Sequence, residues 1–312
     1  MNKPTLYMLV GLPGSGKSSV ANKYGTVFSS DAIREELSGD VNNQNINSEV
    51  FQTLHRRIKD CLKSGCDCVY DATNIKRKRR MAFLRELKHI ECHKVCIVKA
   101  TPYEICLRRN WMRNRKIPDD VIAKMYMNWQ TPYYFEGWDE IRLIYESGME
   151  RYYGDPMDYV SFYLNEYDQE NKYHSFSLGK HLYRSMSSID SNLQEDKNSI
   201  LRTAAILHDI GKPFTKFKSE DELNSHYYQH ENVSAYDSLF YSGCNAITPE
   251  EYFKSKLRRS ILINLHMFPY QWEKDKINGE KSRNKYRKMI GEELYADLML
   301  LHEADRCAHS NE

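Results

Sequence analysis

Residues 11–18 read GLPGSGKS, a complete match to the phosphate-binding loop pattern G-x-x-x-x-G-K-[ST], and no other stretch of the chain restricts its fold as tightly. Such a loop needs a buried strand that delivers the backbone to the edge of a parallel sheet and a helix that carries it away. Both are present: "LYMLV" runs into the loop, and a helical pattern begins near Lys17. Gly11, Gly14 and Gly16 allow backbone N–H groups to turn inward around a β-phosphate. Lys17 is placed to neutralise β/γ oxygens, and Ser18 to hold magnesium. Ser15 and Ser19 complete the stretch expected to meet the nucleotide, so ATP or another NTP with Mg²⁺ is the expected cofactor.

The residues after the loop alternate short apolar runs with helical patterns, which predicts an α/β domain with a parallel sheet. Candidate strands are 6–10, 26–29, 66–70, 94–99 and 140–145. The strand pattern then stops. "ESGMERYYGDPMDY", with Gly148, Gly154 and Pro156, reads as a linker. Beyond it helical periodicity continues almost to the end, as in "NSILRTAAILHDIG", so an all-α domain is expected. The expected division is 1–150 and 156–312. The charge distribution changes at the same place: residues 1–150 hold 24 Lys+Arg against 18 Asp+Glu, leaving 21 against 25 for the remainder. Histidine divides more sharply, with three of eleven in the first half and eight from His174 onward. No apolar run approaches a membrane span and no signal-peptide pattern opens the chain, so a cytoplasmic protein with no membrane partner is expected. The eight cysteines then read as reduced thiols.

Several residues after the loop carry chemistry. Asp31, in "VFSSDAIREEL", is both an ideal helix N-terminal residue and, at a sheet's carboxyl edge, a candidate base for an acceptor hydroxyl. Arg34, one turn later, is a candidate clamp for an acceptor phosphate. Asp71, in "CVYDATN", occupies the same edge and is expected to hold Arg34 or a magnesium-bound water. Arg109 and Arg113 stand four apart and would share a helix face as a lid over the triphosphate. "KRKRR" at 76–80 reads either as a solvated basic surface or as a site for a nucleic-acid backbone.

Together "GLPGSGKSS…SSDAIREEL…VYDATN…RRN…R…P" resembles the polynucleotide 5′-kinase family, over roughly residues 5–145. The resemblance implies that Asp31 is the general base, Arg34 the acceptor-phosphate clamp, and Arg109 and Arg113 the lid arginines. It also implies phosphoryl transfer from an NTP to a 5′-hydroxyl end of RNA or DNA.

In the second half, "AAILHDIGKP" places His208 and Asp209 side by side at the end of an apolar helix, where a divalent metal would compensate their burial. His181, His230, His266 and Asp305 complete the order H…HD…H…H…D, which resembles the HD phosphohydrolase superfamily over about residues 160–312. That resemblance implies that His181, His208, Asp209 and Asp305 hold one divalent transition metal such as Mn²⁺, with Asp209 bridging, and that His230 and His266 complete a second site. Lys212 is expected to contact a substrate phosphate or the reacting water. His174, seven before His181, is a candidate proton donor to the leaving oxygen. His226 and His302 are candidate substitutes for His230 and Asp305.

The two halves together imply a bifunctional enzyme that heals nucleic-acid ends, RNA favoured over DNA. One half would phosphorylate 5′-OH ends. The other would clear 3′-phosphate or 2′,3′-cyclic phosphate, leaving ends for a separate ligase. A small-molecule kinase fused to a nucleotide phosphohydrolase, and an NTP-sensing RNA-binding regulator, are the alternatives.

Overall fold

The computed structural model describes residues 3–170, 175–219, 223–243 and 248–309. They form two compact units, one of residues 1–122 and 132–146, the other of 123–131 and 147–312.

The first unit is built on a five-stranded, all-parallel sheet. Its elements run β1 (Thr5–Val10), α1 (Lys17–Ala21), β2 (Thr26–Ser29), α2 (Ser30–Ser38), α3 (Asn47–Lys63), β3 (Cys68–Asp71), α4 (Arg77–Glu86), β4 (His93–Lys99), α5 (Tyr103–Trp111), the start of α6 (Asp119–Met127) and β5 (Glu140–Ile144). The spatial order is β2-β3-β1-β4-β5. β1 pairs with β3 on one side (Leu6 opposite Cys68) and with β4 on the other (Leu6 opposite Lys94). The connections therefore reverse direction at β1, and the crevice beyond its carboxyl end is where open parallel sheets bind ligands. The apolar runs of sequence become strands because both faces of the sheet are covered: Leu9, Val69, Val95 and Ile97 form a core cluster with Ala21 of α1 on one face, and the alternate Met8, Tyr70, Cys96 and Val98 are buried on the other. α2 starts where Ser29 accepts from the Ala32 N–H, with Asp31 in the first turn, so the N-cap role expected of "SSD" is filled by Ser29.

The structure corrects the reading of "KRKRR" as a uniform basic surface. Lys76, Lys78 and Arg79 are exposed, but Arg77 and Arg80 turn inward. Arg80 donates Nε and Nη2 to Glu136 at 2.8 and 2.6 Å, and Nη1 to the Asn74 carbonyl at 2.9 Å. Both side chains of the pair are fully buried. Removing one partner strands a buried charge, so Glu136→Ala is expected to destabilise this unit by about 3–5 kcal/mol. Urea unfolding followed by tryptophan fluorescence reads the effect, and a loss below 1 kcal/mol would place the pair with weak surface ion pairs instead.

The second unit is helical. After the end of α6 come α7 (Pro156–Tyr159), a π-helical turn at Val160–Leu164, α8 (Leu178–Ser187), α9 (Glu195–Leu207), α10 (Lys212–Thr215), α11 (His230–Ser238), α12 (Pro249–Leu265), α13 (Met267–Lys274), α14 (Gly279–Ile290) and α15 (Glu292–Cys307). α9 is the central helix, packed against α8, α11, α12 and α15. Its "ILRTAAIL" stretch is apolar nearly all round because it is surrounded, with Leu201, Ala204, Ala205, Ile206 and Leu207 buried. α12 begins with a capping box between Thr248 and Glu251, followed by Pro249 at the first helical position. Within this unit Trp129 is fully buried, its ring edge-on to Tyr236 at 4.8 Å, and Thr131 Oγ1 lies 2.7 Å from Ser260 Oγ. A contiguous division near residue 150 does not anticipate that residues 123–131 pack with the helices. Among the described residues no helix is long and apolar enough to cross a membrane.

Candidate active sites

At the carboxyl edge of β1 the chain turns through two left-handed glycines, Gly14 (φ 82°) and Gly16 (φ 84°). A Cβ on Gly14 would lie 2.4 Å from the Cys106 carbonyl oxygen, and one on Gly11 would lie 2.8 Å from that of Lys99. Glycine is thus required at Gly14 for both backbone conformation and space. Ser15 is buried with its hydroxyl unpartnered, while its carbonyl accepts from Thr101 at 3.0 Å. Lys17 folds back to donate to the Leu12 carbonyl at 2.9 Å, and burial pulls it down to about 8 against the attraction of Asp71. Ser18 donates to Asp71 Oδ2 at 2.8 Å. Burial raises the Asp71 carboxyl, opposed by the Ser18 bond and by Lys17. Ser19 lies exposed on α1. A hydroxyl and a carboxylate side by side at the start of α1, next to a buried lysine, fit a magnesium–triphosphate pair. Ser18 and Asp71 would hold the ion, the latter directly or through water.

Asp31 faces this loop from the start of α2, close enough to influence both Lys17 and Asp71. Its two oxygens are held by two different arginines. Arg34 Nη1 reaches Oδ1 at 3.0 Å and Arg115 Nη1 reaches Oδ2 at 3.0 Å. Arg34 is 4% exposed, its Nη2 donates to Asn47 at 2.7 Å, and its Nε has no partner. Arg34 therefore binds Asp31 and Asn47, and Asp71, expected to hold Arg34 or a magnesium-bound water, bonds Ser18. Arg115 also donates to Asn42 Oδ1 at 2.8 Å and to the Val41 carbonyl at 3.0 Å. Sequence reasoning did not single out Arg115: its partners lie 73 to 84 residues away, and only proximity to Arg113 marked the region.

The two expected lid arginines differ in their surroundings. Arg113 is exposed and acts electrostatically on Lys17 and Asp71. Arg109 is clamped by Glu146, at 2.7 and 2.5 Å. Glu146 stands just past β5 and also lies 3.7 Å from the buried Lys99. Arg109 lowers the Glu146 carboxyl in return, so the pair is a charged one.

In the second unit, helix ends converge. His208 and Asp209 follow α9, His230 opens α11, His266 ends α12, His181 lies within α8 and Asp305 within α15. His208, His230 and His266 each turn Nδ1 onto the carbonyl three residues back, Ala205, Tyr227 and Ile263, at 2.7, 2.6 and 2.7 Å. A carbonyl only accepts, so the proton is on Nδ1 and the Nε2 lone pair faces inward. The Nε2 atoms of His230 and His266 meet head-on at 3.3 Å, and His208 Nε2 lies 3.2 Å from that of His181, whose Nδ1 is 3.4 Å from the Ala308 carbonyl. With both protons outward, His230 and His266 cannot hydrogen-bond one another. A cation between them removes the conflict.

Asp209 lies between the two pairs. Its Oδ1 is 2.9 Å from His230 and 3.5 Å from His266, and its Oδ2 is 3.4 Å from His208 and 3.6 Å from His181. Asp305 Oδ1 adds contacts of 3.1 Å to His181 and 3.3 Å to His208. Burial holds His181 and His266 below their usual range. Burial would lower His208 as well, but the charges of Asp209 and Asp305 outweigh it and raise it, so without a metal this position draws in a proton instead. The cage thus attracts positive charge strongly, and its nitrogen and oxygen donors fit one or two divalent transition metals.

All six ligand candidates come together here. Lys212 is also present, but it is buried and held, donating to Asp209 Oδ2 at 2.6 Å and to Gln169 at 2.7 Å. His309 and Tyr270 were not anticipated. They reach Asp305 Oδ1 and Oδ2 at 3.1 and 3.0 Å, and His309 joins a fourth cluster with His181 and Asp305. His174 lies outside the described residues. His226 is not in any of the clusters, because it sits in an extended segment ahead of α11, and His302 Nε2 is 3.0 Å from Glu273 instead.

Comparison with known proteins matches two families to separate parts of the chain. The AAA domain family matches residues 6–132, and the HD domain family matches residues 172–309. An L-seryl-tRNA(Sec) kinase from Methanococcus maripaludis is 28% identical over 144 residues, 43% of this chain and 56% of that protein. This chain thus spans little more than half the length of that relative. Among solved structures, the Pnkp1/Rnl/Hen1 RNA repair complex contains a chain 21% identical, aligned over 41% of this chain and 44% of its own with a TM-score of 0.35. A gluconokinase from Sinorhizobium meliloti 1021 is 19% identical over 47% of this chain and 85% of its own, with a TM-score of 0.32.

Proposed function

We propose that this chain, in which a P-loop kinase domain is joined to an HD domain, corrects both ends of a broken polynucleotide. The kinase would place a phosphate on a 5′-hydroxyl, and the HD centre would clear 3′-phosphate or 2′,3′-cyclic phosphate. The observation that carries the reading is Asp31 gripped by two guanidiniums beside the phosphate loop. A carboxylate serves an acceptor hydroxyl, and guanidiniums serve a phosphate next to that hydroxyl. A hydroxyl with a phosphodiester close by is what a 5′-OH strand end presents and what a free sugar lacks. The curated relative also carries RNA in its name.

In this mechanism the acceptor phosphate draws Arg34 and Arg115 off Asp31. The freed carboxylate takes the proton of the 5′-hydroxyl as its oxygen attacks the γ-phosphorus, and the nucleoside diphosphate leaves. Lys17 and Arg113 stabilise charge on the transferring group and the departing oxygens. In the HD centre, a bound divalent metal would supply activation of a phosphoester and of the water that attacks it. There Tyr270 and His309 orient Asp305, and Lys212 with Gln169 fixes the Asp209 carboxylate. Breakage that leaves 5′-OH beside 3′ or cyclic phosphate, common for ribonucleases, is the damage that both centres together would repair, which favours RNA and a ligase acting afterwards.

A phosphoryl-transfer assay with labelled ATP tests the kinase reading. Transfer to 5′-OH RNA or DNA supports it, and transfer to nucleosides or sugars alone replaces it with a small-molecule kinase. Arg115→Ala is expected to raise the KM for a 5′-OH oligonucleotide by about ten- to hundred-fold, the weight of a charge-assisted contact. An equal rise in the KM for ATP would assign Arg115 to the nucleotide donor instead.

A further inference from the structure

Three charged side chains beside the phosphate loop stand outside the transfer step. Lys99 closes β4 and is buried, Arg109 lies in the last turn of α5, and Glu146 stands just past β5. They converge on one point of the loop. A Cβ built on Gly16 would lie 3.6 Å from Lys99 Cε, 3.7 Å from Glu146 Oε1 and 3.9 Å from Arg109 Nη1. Gly16 is left-handed (φ 84°) and immediately precedes Lys17, in the stretch whose backbone N–H groups would meet the donor's phosphates.

Glu146 thus puts a carboxylate next to an anion-binding loop, and it takes two N–H groups of Arg109, at 2.7 and 2.5 Å. A guanidinium fork fits phosphate oxygens as well as a carboxylate, so a triphosphate at the loop competes with Glu146 for Arg109. The pair is open to water, 34% exposed on the arginine and 41% on the glutamate, and such pairs hold weakly. Several phosphate charges therefore outcompete the single carboxylate. Glu146 then needs another cation, and Lys99 is in place, its Nζ 3.7 Å from Glu146 Oε1. Burial lowers Lys99, and Glu146 is the main group that opposes this. A buried ammonium is costly without a close anion, so both members gain when Glu146 turns to Lys99.

We propose that Glu146 is a positioning residue of the donor site. It holds Arg109 beside the loop before the nucleotide arrives, yields it to the donor's phosphates, and pairs with Lys99 instead. No covalent bond changes and no charge is left unpaired. The inference rests on nucleotide binding at the loop and is independent of which acceptor the kinase serves.

The test is calorimetric binding of Mg²⁺-ATP to the full chain, in a double-mutant cycle of Glu146→Gln and Arg109→Ala. Glu146→Gln is expected to bind ATP about three- to fivefold more tightly, the weight of an exposed ion pair that no longer has to break. Beside Arg109→Ala the same substitution is expected to change the affinity by about twofold at most. A gain that persists or grows without Arg109 would mean that Glu146 merely repels the nucleotide, and overturns the proposal. So does unchanged or weaker ATP binding by Glu146→Gln that circular dichroism shows to be folded. Lys99→Met keeps the buried stem without the charge. It is expected to weaken ATP binding about three- to fivefold in the otherwise wild-type chain, and far less beside Glu146→Gln. An equal loss in both backgrounds removes Lys99 from the exchange and overturns the proposal as stated. Wild type that binds no ATP overturns the nucleotide reading and this proposal together. ATP binding that follows the expected cycle, without transfer to any 5′-hydroxyl end, keeps the proposal and removes the polynucleotide reading.

Discussion

Asp209→Ala is expected to abolish hydrolysis in the helical unit, by roughly a thousandfold or more, the scale felt when one member of a catalytic set acting as a unit is removed. Its carboxylate faces both histidine pairs, Oδ1 toward His230 and His266, Oδ2 toward His181 and His208. The substitution also leaves the buried Lys212 without its carboxylate partner at 2.6 Å, which by itself costs about 3–5 kcal/mol. Asp209→Asn keeps the shape and one oxygen, so it separates a lost ligand from a lost fold. Both variants are expected to carry less metal by elemental analysis and to retain ATP-dependent transfer at the phosphate loop. Full metal content in folded Asp209→Asn, with hydrolysis intact, would show that the ligand set is wrong.

The parts of the two sites that were legible in the sequence are those whose chemistry is local. GLPGSGKS needs its glycines for backbone shape within a few residues, and the structure places left-handed conformations at Gly14 and Gly16. The strands were legible because a parallel sheet covered on both faces writes each strand as a short apolar run. The run read as 66–70 is Cys68–Asp71, and that read as 94–99 is His93–Lys99. Their shifted ends reflect tertiary pairing, which fixes where a strand begins. Histidine and aspartate far apart in sequence could be collected around "HDIGK" only because their order resembles that of the HD phosphohydrolase superfamily.

Contacts made across long sequence separations were not legible. Arg115 and Asp31 are 84 residues apart, and Arg109 and Glu146 are 37 apart. No local pattern distinguishes an arginine bound for a carboxylate across the fold from one bound for solvent. Arg80 in "KRKRR" shows the same limit, because its partner Glu136 lies 56 residues on. The suggestion that His226 replaces His230 assumed a helix through both. α11 instead opens at His230, and residue 229 in the left-handed region turns the extended segment into the helix.

Asp31→Asn is expected to lower phosphoryl transfer to a 5′-hydroxyl by roughly a hundred- to ten-thousand-fold, the range of a lost general base. The amide keeps the size of the side chain and can still accept from one arginine, so Arg34 and Arg115 lose a charge partner rather than their positions. ATP binding is expected to persist because the loop, Lys17 and the Ser18–Asp71 pair are untouched. The loss therefore falls on kcat, whereas Arg115→Ala acts on the acceptor KM, and the two variants distinguish proton transfer from acceptor positioning. Hydrolysis at the His/Asp centre gives an internal control in the same polypeptide. If Asp31→Asn lowers both activities equally, its role is structural, as the first-turn acid of α2 that holds two arginines. If it lowers neither, the proton leaves by another route and Asp31 is only the anchor for Arg34 and Arg115.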